Sequence, residues 1–115
     1  MCRILLTIIL FLSTTAAMAN ITGNRLKEAC QFYPGHTEAA SFCIGYISGS
    51  LDAARGTNNA VRGELVCEPP NVVGEQLIAM AIKYLSDHPE LLHLTASSLI
   101  LDMYVKAFPC KKKSN

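Results

Sequence analysis

Residues 37–56, TEAASFCIGYISGSLDAARG, contain the pattern that decides the fold. The apolar side chains in this stretch recur at spacings of three and four, as on one face of an α-helix: Ala40, Cys43, Ile44, Ile47, Leu51 and Ala54. Thr37 is a suitable N-cap, Glu38 falls in the positive first turn, and Gly56 is a natural stop. We therefore predict an amphipathic helix that ends at about Arg55.

Three further segments have the same helical periodicity. We predict a short helix within residues 21–32, a third helix over residues 75–87 and a last helix over residues 96–107, with Thr95 as its cap and Pro109 after its end. The residues predicted to face inward on these helices are Leu26, Ala29, Cys30, Leu77, Ile78, Ala81, Ile82, Leu85, Ala96, Leu99, Ile100, Met103 and Ala107. The predicted fold class is all-α, a small disulfide-stapled bundle of about four helices.

Some residues on these elements are predicted to lie at the edge of the core. Three tyrosines should pack there with their hydroxyls at the surface: Tyr46, Tyr84 and Tyr104. No strand pattern competes with the helices, although Leu65 and Val66 could pair briefly.

The first 19 residues have the three parts of a cleavable export signal. Arg3 is followed by an apolar run over residues 4–12, and Ala17-Met18-Ala19 fits the small-x-small cleavage rule. The run is shorter than the ~20 residues that a membrane-spanning helix needs. We predict a signal peptide over residues 1–19 and one domain over residues 20–115, periplasmic and without a stable membrane anchor; the alternative is a buried N-terminal helix.

Four cysteines remain after cleavage, and export makes them candidates for disulfides: Cys30, Cys43, Cys67 and Cys110. Three pairings are formally open. Cys30 and Cys43 lie on either side of a Pro34-Gly35 corner, which favours Cys30–Cys43 and leaves Cys67–Cys110. By loop-closure entropy these bridges are worth about 3 and about 4 kcal/mol.

Metal binding by the same cysteines is disfavoured by their spacing. No two of them have the short C-x₂₋₄-C spacing of structural zinc sites, and His36, His88 and His93 are not at H-x₃-H spacing. A cysteine nucleophile needs a free thiolate, which export also disfavours. We predict neither a metal nor another cofactor.

Catalysis has little support elsewhere in the chain. Ser48 is not centred between two glycines as a nucleophile elbow requires, and no histidine partners the helical carboxylates of Asp52 and Asp102. Without residues 1–19 the chain has nine basic against nine acidic residues, since only Arg3 is lost from the total of 10 Lys and Arg. A neutral domain gives no electrostatic reason to expect nucleic acid. The sequence therefore predicts a binding or structural module and no enzyme.

Two glycines within the second predicted helix suggest a close helix contact. Gly45 and Gly49 lie one turn apart, and each costs about 1 kcal/mol relative to Ala in a helix interior. We predict that a neighbouring helix packs against them, either from this chain or from a second subunit.

Four motifs in order resemble those of a known family. Residues 43–53 fit C-x-G-Y-x-x-G-x-x-D-A, residues 67–69 fit C-x-P, residues 84–90 fit Y-L-x-x-H-P-E, and residues 107–110 fit A-F-P-C. Together they resemble the Rap/Tai type of periplasmic immunity proteins, which protect bacteria from peptidoglycan amidase effectors injected by type VI secretion. The resemblance implies an α-helical periplasmic protein that binds and occludes such an amidase, often as a homodimer, with a protruding loop entering the effector's cleft.

The longest irregular segment is the candidate for that contact. Residues 57–71 contain Gly, Asn and a Pro-Pro pair, and Cys67 tethers them, which reduces the ordering cost of binding. We predict Asn58, Asn59, Arg62 and Glu64 as partner-binding residues, against a passive linker as the alternative. The competing functions are those of a periplasmic helical stress protein or acid chaperone and of an uncharacterised periplasmic binding module.

Overall fold

Four α-helices and one short hairpin make up the computed structural model, which describes residues 20–56 and 60–111. In chain order the elements are α1 (Gly23–Cys30), α2 (Glu38–Arg55), β1 (Ala60–Val61), β2 (Glu64–Leu65), α3 (Gly74–Asp87), a 3₁₀ turn (Pro89–Leu91) and α4 (Ala96–Ala107). The predicted helical bundle is confirmed, and within these residues the structure adds the two-stranded sheet and the 3₁₀ turn. The predicted signal segment, residues 1–19, lies outside the described residues.

Helix α2 lies at the centre of the bundle and packs against α1, α3 and α4. Its start is capped as predicted, because the Thr37 hydroxyl accepts a hydrogen bond of 3.1 Å from the backbone N–H of Ala40. Its predicted stripe faces the core, with only Ile44 left half-buried. Fully burying a side chain such as Ile47 or Leu51 stabilises the fold by about 1.5–3 kcal/mol.

The inward face of α4 differs from the prediction at its C-terminal end. Ala107 is exposed, whereas Tyr104, predicted at the core edge, has 0% of its surface accessible. Phe108 packs on the core in place of Ala107 and meets Tyr104 edge-on, with ring centroids 5.7 Å apart. The helix ends at Ala107, and the Phe108 side chain that follows covers the core at the C-terminal end of α4.

The N-termini of α1 and α4 are joined through their backbones. The N–H of Gly23 donates to the carbonyl of Leu94 at 2.9 Å, and the N–H of Ala96 donates to the carbonyl of Ile21 at 2.7 Å. Thr95 occupies the N-cap position of α4, but its side chain makes no capping hydrogen bond, contrary to the prediction. Its backbone instead forms an antiparallel bridge with Thr22.

Two disulfides are present, and they follow the pairing that the sequence favours. Cys30 and Cys43 link α1 to α2, with Cα atoms 5.1 Å apart. Cys67 and Cys110 link the segment after the hairpin to the chain beyond α4, with Cα atoms 4.9 Å apart. Among the residues described, no helix is long and apolar enough to cross a membrane.

The predicted close helix contact at Gly45 and Gly49 is not found within residues 20–56 and 60–111. A Cβ atom built on either glycine would meet nothing within 4 Å. Both lie on the exposed side of α2, because they are two residues away from the buried positions Cys43, Ile47 and Leu51 in a helix of 3.6 residues per turn. Only the second-subunit interpretation of these glycines stays a prediction.

Candidate functional site

A tight β-hairpin lies in the segment that the sequence predicts to be irregular apart from a brief pairing at Leu65 and Val66. Strands β1 and β2 pair antiparallel, with Ala60 opposite Leu65 and Val61 opposite Glu64. The two residues between them, Arg62 and Gly63, have positive φ angles of 53° and 79°. This is the backbone twist that two-residue hairpin turns require, and Gly63 adopts it without steric cost.

The hairpin presents a charged, exposed tip on a buried base. Val61 is 3% exposed and packs into the core, whereas Arg62, Gly63 and Glu64 are exposed. Leu65 is 64% exposed and places an apolar side chain beside these charges. A basic, an acidic and an apolar group thus lie together at the exposed end of a short hairpin.

The chain after the hairpin is fastened to the end of α4. Val66 is 2% exposed and forms an isolated bridge with Pro109. The backbone N–H of Cys67 donates to the carbonyl of Phe108 at 2.9 Å, and the Cys67–Cys110 disulfide lies beside this bond. The disulfide and the backbone contacts of Val66 and Cys67 therefore hold the base of the hairpin against the chain that follows α4.

A side-chain network, Arg55–Glu68–Tyr104, connects the hairpin base to α2 and α4. The Arg55 guanidinium donates to the Glu68 carboxylate through Nη2 at 2.9 Å and through Nε at 3.2 Å. The buried Tyr104 hydroxyl donates to the same carboxylate. Arg55 also donates to Asp52 at 3.1 Å. A two-pronged guanidinium–carboxylate pair fixes direction as well as distance, so Glu68 is held in one orientation.

The electrostatics of this network favour an ionised Glu68. Burial alone raises the pKa of the Glu68 carboxyl, but the hydrogen bonds from Arg55 and Tyr104 outweigh it, and the pKa lies below its ordinary value. Burial and the bond to Glu68 raise the pKa of Tyr104. The tyrosine therefore stays a hydrogen-bond donor and the carboxylate an acceptor at neutral pH.

A second polar cluster, Tyr84–Asp102–Lys106, lies between α3 and α4. Asp102 accepts hydrogen bonds from the Tyr84 hydroxyl and from Lys106 Nζ, the latter at 2.7 Å. These two bonds lower the pKa of Asp102, and the positive charge of Arg62 lowers it further. The charge of Arg62 in the hairpin turn is thus one of the smaller influences on this carboxylate of α4.

Two of the four predicted partner-binding residues lie at this tip. Arg62 is in the turn and Glu64 opens β2. Asn58 and Asn59 fall outside the described residues. The anchoring residues Arg55, Glu68 and Tyr104 were not predicted from the sequence; Glu68 is the variable position of the C-x-P motif, which was the one available signal.

The groups considered for catalysis or metal binding are not assembled into a site. Among the described residues, Asp52 pairs with Arg55, whereas Asp102 pairs with Tyr84 and Lys106. His88 stacks on Tyr84 with ring centroids 4.3 Å apart. Within the part of the chain that the structure describes, no cluster of three or more His, Cys, Asp or Glu residues could hold a metal ion.

A shallow groove between α1 and the start of α2 is the other notable surface feature. Its volume is about 540 Å³, and two partly exposed aromatic rings line it, Phe32 at 53% and Phe42 at 37% exposure. Arg25 and Glu28 form an ion pair of 3.5 Å at its rim. The groove lies at the N-terminal end of α2, whereas the hairpin follows its C-terminal end.

A comparison with models of known protein families gives a match over most of the chain. The family model of the Rap1a immunity proteins matches residues 22–110, which include all four helices, the hairpin and both disulfides. No curated protein matches the chain.

Proposed function

Since the chain belongs to the Rap1a immunity protein family, we propose that it is an exported periplasmic protein that binds and inhibits a peptidoglycan amidase delivered by type VI secretion. The family membership supports the general role, immunity against a secreted effector. The amidase, the secretion route and the periplasmic location are the specific parts of the proposal. Two disulfides support an oxidising compartment, and residues 1–19 supply the export signal.

The anchored hairpin is the observation on which the proposed binding mode depends. Its tip is exposed, while its base is held by the Cys67–Cys110 disulfide and by the Arg55–Glu68 pair. A segment that is already ordered loses little conformational entropy on binding, so more of its contact energy appears as affinity. A passive linker would need neither a positive-φ turn nor a half-buried carboxylate held by Arg55 and Tyr104.

The proposed inhibition is steric. A two-residue turn is narrow enough to enter a cleft, and the exposed charges of Arg62 and Glu64 offer one donor group and one acceptor group to the effector. Occupation of the amidase cleft is sufficient to protect the cell wall.

A matched pair of double variants tests the assignment of the surface. R62A/E64A removes one basic and one acidic residue from the hairpin tip, and R25A/E28A removes the same charges from the groove rim. The control residues are exposed, at 65% each. We expect R62A/E64A to weaken binding to a peptidoglycan amidase that the unaltered protein binds at least about tenfold, or about 1.4 kcal/mol, as measured by calorimetry.

R25A/E28A should bind like the unaltered protein and should rescue cells from the periplasmic amidase. If both variants bind normally, the quadruple change of Asn58, Asn59, Arg62 and Glu64 to alanine decides whether the segment is involved at all. Unchanged binding by that variant would refute the hairpin as the contact. An unaltered protein that binds no amidase, yet suppresses aggregation at low pH, would favour the chaperone function instead.

A homodimer belongs to the same proposal. Gly45 and Gly49 leave the outer face of α2 open, so a helix of a second copy can approach its backbone closely. Replacing both glycines with leucine should shift the sedimentation equilibrium from dimer toward monomer while the helical content stays the same. A monomeric unaltered protein at micromolar concentration would contradict this part of the proposal.

A further inference from the structure

The two disulfides differ in their access to solvent. Cys30 is 4% and Cys43 0% exposed, and both belong to the core between α1 and α2. Cys67 is exposed and Cys110 is half-buried, at the surface where the chain leaves α4. One bridge is therefore enclosed by packed side chains, and the other can be reached from outside.

Access decides which disulfide a thiol can attack. Thiol–disulfide exchange needs a thiolate to approach one sulfur along the S–S axis, so the reaction rate depends on exposure as well as on the thiolate fraction. Attack on Cys30–Cys43 requires the α1–α2 interface to open first, and such openings of a core are rare. Attack on Cys67 requires no opening of the core.

We propose that Cys67–Cys110 is a thiol–disulfide exchange site for a small dithiol protein of the C-x-x-C type, while Cys30–Cys43 is closed to the same partner. The partner's thiolate attacks the Cys67 sulfur, the S–S bond breaks, and Cys110 leaves as a thiolate. The second thiol of the partner, deprotonated, then attacks the mixed disulfide and releases Cys67. Two electrons pass to this protein, the partner ends as an internal disulfide, and its two protons end on Cys67 and Cys110.

The direction of attack follows from the surroundings of the two sulfurs. Cys67 is the more exposed residue of the pair, which makes it the accessible target. Cys110 is followed by the exposed Lys111, and a neighbouring cation stabilises a leaving thiolate. Glu68, next to Cys67, does not repel the attacking thiolate strongly, because Arg55 neutralises its charge at 2.9 Å.

Reduction would loosen the hairpin without opening the core. The Cys67 N–H bond to Phe108 and the Arg55–Glu68 pair do not depend on the disulfide, and the Cys30–Cys43 bridge still links α1 to α2. The base of the hairpin then has only non-covalent attachment to α4. If the hairpin binds the effector, as the proposed function states, the reduced protein binds more weakly.

The exchange site is tested without any effector. The oxidised protein is mixed with a reduced C-x-x-C dithiol protein, quenched with acid and alkylated, and the labelled cysteines are mapped by mass spectrometry. We expect Cys67 and Cys110 to be labelled at least about tenfold faster than Cys30 and Cys43. Equal rates, or faster labelling of Cys30 and Cys43, would overturn the proposal.

A trapping experiment tests the direction of attack. A partner whose second cysteine is replaced by serine cannot resolve the mixed disulfide, so it should stay bonded to Cys67. Recovery of the partner on Cys110 would overturn the proposed order of steps.

Effector binding is then compared between the oxidised protein and the protein reduced only at Cys67–Cys110, each with circular dichroism to confirm that the helices persist. We expect the reduced form to dissociate several-fold faster. C67S/C110S should behave like the reduced form, whereas equal binding by the oxidised and reduced forms refutes the regulatory consequence. Binding by neither form refutes the proposed function alone, since the labelling rates still decide whether the exchange site exists.

Discussion

Replacing Tyr104 with phenylalanine should lower the free energy of unfolding by about 1.5 kcal/mol at pH 7. The Tyr104 side chain is 0% exposed, and its hydroxyl donates to the Glu68 carboxylate. A hydrogen bond to a charged group contributes about 1.5–3 kcal/mol. The lower end applies because the Glu68 side chain is 18% exposed and keeps its pair with Arg55, so the carboxylate remains partly solvated and paired.

Equilibrium unfolding in urea measures this loss. With the slope of about 1–3 kcal/mol per molar urea that small domains show, the midpoint should fall by about 1 M. Tyr46→Phe is the matched control, because the Tyr46 hydroxyl accepts a hydrogen bond of 3.2 Å from the neutral N–H of Ser97. That variant should lose about 0.5–1 kcal/mol.

The two tyrosine variants should also differ in their dependence on pH. The pKa of Glu68 is lowered in the folded protein, so its stabilising effect is complete above the unfolded pKa of about 4.3 and is lost as the pH falls through the lower folded value. The difference in free energy of unfolding between the unaltered protein and Tyr104→Phe should therefore shrink over that pH range. The corresponding difference for Tyr46→Phe should not. Equal midpoints at pH 7, or a Tyr104→Phe gap that stays constant to about pH 2, would refute the reasoning.

Three further changes test other parts of the structure. Gly63→Ala should lose about 1 kcal/mol in thermal denaturation because φ is 79° there, and Gly63→Asn, which tolerates that region, should lose less; equal losses contradict the turn. Lys106→Met should raise the pKa of Asp102 toward its ordinary value in a carboxyl NMR titration, since the hydrogen bond from Lys106 is the largest influence on it; an unchanged pKa rejects the pairing. Gly23→Ala places a Cβ atom 2.6 Å from Leu99 Cδ1, which can move, and 3.0 Å from the backbone Cα of Leu92, which cannot move without shifting the chain. It should cost about 1–3 kcal/mol in urea unfolding, whereas an unaffected midpoint would mean that α1 shifts freely.

The helices could be predicted from the sequence because their burial is periodic and local. Helix α2 shows this most clearly: its stripe recurs at spacings of three and four, and Thr37 and Gly56 mark its ends. The same reasoning fails where the chain turns. Ala107 continues the periodicity of α4, but the helix ends there, and Phe108 takes its place against the core.

The hairpin and its anchors could not be predicted by the same means. Strands of two residues are too short to show alternation, and Arg62-Gly63 lacks the Asn-Gly or Asp-Gly signal of a tight hairpin turn. The Glu68 carboxylate bonds to Arg55, which lies 13 positions earlier in the chain, and to Tyr104, which lies 36 positions later. Only the folded chain brings these three side chains together. Of the site, the sequence indicated the segment and the disulfide tether, whereas the rigidity of the tip emerges only in three dimensions.

The backbone bridges at the two ends of the domain set an order of assembly. Thr22 pairs with Thr95, and Val66 pairs with Pro109. Each of these pairings can therefore form only after a residue near the C-terminus is present. A chain that is delivered N-terminus first, by synthesis or by translocation, cannot complete either bridge until nearly all of it has emerged. Such late, long-range closure lowers the rate of folding. A chain cut before Pro109 loses the Val66–Pro109 bridge and the Cys67–Cys110 disulfide, whereas it keeps the Thr22–Thr95 bridge at the start of α1.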